Sequence, residues 1–105
     1  MPWYRVIMCG QNYLVNFTGE PEILGFHVTH YVKSPDEEMA QRIATIRTRQ
    51  DRHLHESLLN TPDNPSRLSC ASVRKVWWRR GRDDGRYHFW EMGPAADEGA
   101  SGSYG

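Results

Sequence analysis

The sequence predicts an α+β fold: an antiparallel sheet of about five strands with one main helix on one face, in the order β-β-β-α-β-β. Three observations carry this expectation. "ILGFHVTHYVK" alternates like a half-buried strand, "SPDE" then starts a helix, and strand-like stretches lie on both sides of that helix with no internal repeat.

The first strand is expected from Trp3 to Met8, with Tyr4, Val6 and Met8 on one face and Arg5 and Ile7 on the other. "CGQN" reads as a turn into a second short strand, Tyr13 to Phe17, which "TGEPE" ends through Gly19 and Pro21. In the third strand Leu24, Phe26, Val28 and Val32 share one face and His27, Thr29, Tyr31 and Lys33 the other, leaving His30 on the apolar side.

Ser34 can cap a helix, Pro35 suits its first position, and Glu37 closes a capping box, so the helix is expected from Pro35 to near Asn60. Met39, Ile43 and Ile46 recur at helical spacing and should face Phe26 and Val28. Leu54 and Leu58 drift round the same side after a polar interruption at Gln50. Glu38 with Arg42, Arg47 with Asp51, and Arg52 with Glu56 stand four apart, each pair contributing about 0.2–0.5 kcal/mol on a solvated face.

"NTPDNPSR" is a loop by its prolines and asparagines. Leu68 to Trp78 reads as a long strand with a break in its alternation that implies a bulge, and Tyr87 to Met92 as the last strand. Residues 1–92 thus form one domain. The remainder, 93–105, has little to bury and is expected to be disordered.

Between the last two strands, "VWWRRGRDDGRYHFW" concentrates aromatic rings and arginines around an acidic turn. Asp84-Gly85 suits a two-residue hairpin turn, which would set Arg82 opposite Tyr87, Arg80 opposite Phe89 and Arg79 opposite Trp90. Guanidinium groups over rings contribute about 0.5–1 kcal/mol per exposed contact, so the composition suits a hairpin that keeps itself soluble. If a wider loop runs from Gly81 to Gly85, that pairing fails and a binding role gains weight. Trp78, Arg79, Arg80, Arg82, Tyr87 and Phe89 are the candidate contact residues, since arginine and large aromatics dominate protein interfaces. Stacking of single-stranded RNA or DNA on the same hairpin is the alternative.

Thirteen basic residues balance thirteen acidic ones, so the whole-chain field that draws most nucleic-acid binders to phosphate is missing. All the basic residues but Lys33 and Lys75 are arginine. Cys9 and Cys70 form no Cys-x-x-Cys pair and read as buried free thiols. His27 and His30 point to opposite strand faces, and His53 and His55 diverge on a helix, so neither pair can share a metal ion. His30 reads as a core histidine with a hydrogen-bond partner. No phosphate loop, nucleophile elbow or His-Glu-x-x-His occurs, and no enzyme activity, cofactor or metal is expected. Arg5 interrupts the apolar N-terminus, which implies a cytoplasmic protein without a membrane segment.

"WYRV" followed by "GQNYLVNFTGEPEILGFHVTHYVKSPDEE" resembles the opening half of small uncharacterised bacterial proteins that begin with such a strand, a glycine-and-asparagine turn and a "GF..T" strand leading into a helix. The resemblance implies a bacterial or phage origin and no particular activity. The functional expectation is a small non-enzymatic module that occupies a surface on a protein partner, as a bacterial or phage-encoded inhibitor or regulator would. Poorly defended strand edges add an expectation of homodimerisation.

Overall fold

The computed structural model describes residues 1–77 and 81–94. In it the chain forms β1 (Trp3–Val15), β2 (Glu22–Lys33), α1 (Glu37–Arg49), α2 (Arg52–Ser57), β3 (Arg67–Val76) and β4 (Tyr87–Pro94). The fold is α+β, and the sheet described has four strands in the order β3-β1-β2-β4, each neighbouring pair antiparallel.

The two N-terminal strands expected from the sequence are one. "CGQN" makes a bulge and not a reversal: the register with β2 slips between Gly10 and Tyr13, where Asn12 takes the left-handed conformation at φ 58°. Asparagine tolerates that conformation better than most side chains. The loop after α2 then supplies hydrogen bonds around the irregular segment. Asn60 Oδ1 accepts from the Leu14 amide at 2.9 Å, and Asn60 Nδ2 donates to the Asn12 carbonyl at 3.0 Å. Asn12 Nδ2 in turn donates to Asn64 Oδ1 and to the Pro65 carbonyl. β4 also runs to Pro94, beyond the expected end of the domain, and 95–105 lie outside the described residues.

The helical segment starts two residues later than "SPDE" suggested and divides in two. Asp36, not Ser34, is the N-cap, its carboxylate accepting from the Met39 amide at 2.8 Å, while Ser34 braces the approach by bonding the Asp36 backbone. Asp51 caps α2 by accepting from Leu54 N at 3.1 Å, so it leaves the expected pairing with Arg47. Arg47 donates instead to the Tyr31 carbonyl at 2.9 Å. Glu38 and Arg42 do meet, at 3.3 Å.

The buried stripe of α1 is Ala40, Ala44 and Thr48, not the expected Met39, Ile43 and Ile46. Met39 and Ile46 are exposed, and Ile43 packs at the margin. Small side chains let the helix backbone approach a sheet face already filled by Val6, Met8, Phe26 and Val28. One polar contact fixes this rotation: His30 Nε2 lies 3.0 Å from Thr48 Oγ1. The Thr48 hydroxyl gives its hydrogen to the Ala44 carbonyl at 2.9 Å, so the proton in the shared bond sits on Nε2. His30 is thus a core histidine with a partner. Neither cysteine is fully buried, and both are free.

β3 and β4 lie on opposite edges of the sheet, so the expected hairpin does not form. The register places β3 against β1, with Val6 facing Val73 and Met8 facing Cys70, and a bulge at Ala71 between Ile7 and Met8. β4 pairs with β2, setting Val28 against Tyr87 and Phe26 against Phe89. A β3–β4 hairpin would leave β1 or β2 on the outside. β2 carries the fully buried Phe26, Val28 and Val32, and an edge position would expose them.

Candidate functional site

The segment from Gly81 to Arg86 crosses the sheet face opposite α1. By strand alternation Arg5 and Tyr31, paired across β1 and β2, project on that face. Asp83 meets both: Arg5 Nη2 donates to Oδ2 at 2.6 Å and the Tyr31 hydroxyl donates to Oδ1 at 2.8 Å. Arg5 Nε also reaches the Tyr31 oxygen at 3.2 Å. The hydrogen bond to Arg5 holds the Asp83 carboxyl below its ordinary value and raises the Arg5 guanidinium in turn. Gly81 lies against the Tyr31 hydroxyl, where a side chain would overlap it. The chain then follows the β2 edge, with the Gly85 amide donating to the Thr29 carbonyl at 2.6 Å and Asp84 Oδ1 accepting from the Tyr31 amide. Gly85 has φ 76°, which favours the residue chosen there.

Of the residues expected to contact a partner, Trp78, Arg79 and Arg80 lie outside the described residues. Arg82 is exposed on the crossing segment. Tyr87 and Phe89 sit on β4, on the α2 side of the sheet, so Tyr87 does not face Arg82. The aromatic and basic stretch is therefore divided: its arginine part crosses one face and its aromatic part becomes an edge strand.

That edge exposes large apolar side chains on both sides, beside the exposed His88 and Glu91. Phe89 is 43% exposed on the helix side, and Trp90 37% exposed on the other, with Met92 43% exposed further along. The Trp90 indole occupies the space where any side chain at Gly25 would stand, and packs edge-on to His27 at 4.9 Å. Gly25 is therefore required by a neighbour four elements later in the chain. The opposite edge differs: β3 exposes Arg67, Ser69, Arg74 and Lys75, side chains that discourage strand pairing.

Of the recesses that adjoin α2, two reach the sheet. The larger of these two, about 340 Å³, lies between β1 and the α1–α2 junction and is bounded by Tyr13, Arg49, His55 and Ser66 over an apolar floor of Leu54 and Leu58. Burial raises the Tyr13 phenol, against the opposing pull of Ser66 and Arg49. The smaller, about 150 Å³, opens between α2 and β4 and is lined by Phe17, Asp51, His53, Tyr87 and Phe89. Among the described residues the buried Tyr87 hydroxyl has no hydrogen-bond partner, and burial, then the nearby Asp51 carboxylate, push its phenol well up. Sequence reasoning missed Phe17, Asp51 and His53 as site residues, because nothing local links positions on β1's exit, α2's start and β4. No group of three or more metal-ligating side chains occurs among the described residues.

No protein family, curated protein or solved structure matches the chain. Among the described residues no helix is long and apolar enough to cross a membrane.

Proposed function

We propose that the protein is a binding module, not an enzyme, and that β4 is the surface it offers to an extended segment of a protein partner. One observation carries the reading: β4 is an outer strand with large apolar side chains exposed on both faces. An added strand would take backbone hydrogen bonds from the edge and place alternate side chains beside Phe89 and Trp90. Aromatic anchors of this kind supply much of the binding energy at protein interfaces. A regulator or inhibitor acting by occlusion needs no more than such a surface.

Affinity capture from the source cells with the wild-type chain and with a Phe89→Lys/Met92→Lys variant tests the reading. A protein captured by the first and lost with the second, insensitive to nuclease, supports it. Equal capture by both, or capture abolished by ribonuclease, overturns it, the latter in favour of nucleic acid. A dimer in light scattering that the variant dissociates would make a second copy the occupant of the edge.

A further inference from the structure

The recess between α2 and β4 shares Phe89 with the docking edge, but its other walls, Phe17, Asp51, His53 and Tyr87, have chemistry that strand addition does not use. Phe17 and Phe89 meet edge to face, at 74° with centroids 5.5 Å apart, and Tyr87 lies parallel to Phe89 at 10° and 5.6 Å. Two aromatic walls thus stand nearly at right angles. His53 stacks on Phe17 at 4.9 Å and 8°, holding that wall in place. Asp51 supplies a carboxylate at the same recess, and neither lysine nor arginine is among the described residues that line it. Its Oδ1 caps α2, which fixes the carboxylate's position.

Ring faces carry negative charge density and attract cations, most effectively where water is displaced. A carboxylate beside them selects for positive charge over mere apolarity. At about 150 Å³ the space is smaller than the roughly 300–1,000 Å³ of pockets for drug-sized ligands, so a headgroup fits and a nucleotide does not. A bare ammonium is compact and strongly hydrated, and would lose much of that hydration on entering. Alkyl groups on the nitrogen reduce that loss and fill the corner between the rings. We infer that this recess binds a methylated ammonium group. The inference is independent of strand docking on β4, because a small cation can bind whether or not the edge takes a partner.

The experiment titrates the full chain, followed by NMR, with choline and with its neutral isostere 3,3-dimethyl-1-butanol, and separately with a trimethyllysine peptide and its unmethylated form. Choline or the trimethyllysine peptide should shift resonances of Phe17, Tyr87 and Phe89, with choline binding about tenfold more tightly than the alcohol. Choline alone would mark a small-molecule source, the methylated peptide alone a protein source, and both the shared chemistry. Asp51→Asn keeps an oxygen for the α2 cap but removes the charge, and should weaken the cation about tenfold while leaving the alcohol unchanged. Detectable but equal binding of choline and alcohol, equal binding of the two peptides without a response to choline, shifts that map elsewhere, or no binding of either cation would overturn the inference. The wild-type comparisons, choline with the alcohol and the methylated with the unmethylated peptide, decide the matter even if the variant does not fold.

Discussion

The guanidinium of Arg5 and the carboxylate of Asp83 meet at 2.6 Å although 78 positions separate them. The contact fastens the β3–β4 connection to the sheet face opposite α1. Both side chains are about a third exposed, so the ion pair itself contributes about 0.2–1 kcal/mol, less in high salt. Because the folded Asp83 titrates below the ordinary 3.8, its contribution is complete above that value and is lost as pH falls through the lower folded value. Urea midpoints for Asp83→Asn should therefore fall below wild type at neutral pH and converge with it in acid. Parallel curves down to pH 2 would show that the pair adds nothing.

His30 predicts a second pH effect in a different window. Burial first, then the positive charge of Arg47, lowers its folded value below 6.5. The unfolded chain then binds a proton more readily, so stability is complete above 6.5 and declines as pH drops through that value toward the lower folded one. His30→Gln retains an N–H donor for Thr48 and should remove the decline below pH 6.5, whatever it does to stability at neutral pH. An undiminished slope in the variant, measured by urea unfolding, would assign the effect elsewhere.

The rotation of α1 makes opposite forecasts for two neighbouring positions. Ile46 is 52% exposed, so Ile46→Ala should change stability by less than about 0.5 kcal/mol. Ala44 is wholly buried, and Ala44→Leu should cost about 1–3 kcal/mol by overpacking the helix–sheet contact. Chemical denaturation that reversed this order would place the helix on its Met39–Ile46 face after all.

Nucleic-acid affinity should be weak and only mildly salt-dependent. Arg82 and Arg86 flank Asp83 and Asp84 on the crossing segment, and Asp83 is already joined to Arg5. Strong binders of this kind need enough uncompensated positive charge to displace many counterions. Titration of labelled single-stranded RNA at about 50 and 200 mM salt should show no steep loss of affinity, the mark of many phosphate contacts. Sub-micromolar binding abolished by Arg82→Glu would revive the stacking alternative.

What the sequence determined by itself lies within a few residues of each position. The shared face of Leu24, Phe26, Val28 and Val32, a helix start within two residues of Pro35, and the Glu38–Arg42 pair were legible, because side-chain direction, capping and charge spacing act locally. The burial of Thr29 and Tyr31 on the other face was not, since it comes from the distant segment that crosses there. What only the tertiary structure decided was which local preferences survived competition. "CGQN" could turn or bulge, and the Asn60 side chain, from the loop after α2, bonds the irregular backbone in the bulged form. The helix could present Met39 and Ile46 or the smaller Ala40 and Ala44, and the filled sheet beneath it accepts only the smaller pair. Asp84-Gly85 could close a hairpin, but keeping β1 and β2 inside the sheet buries far more apolar surface than one turn contributes. The small recess is the furthest case. Phe17, Asp51 and Phe89 meet there only because the sheet order brings β4 to the edge beside α2, a consequence of long-range packing that no spacing along the chain encodes.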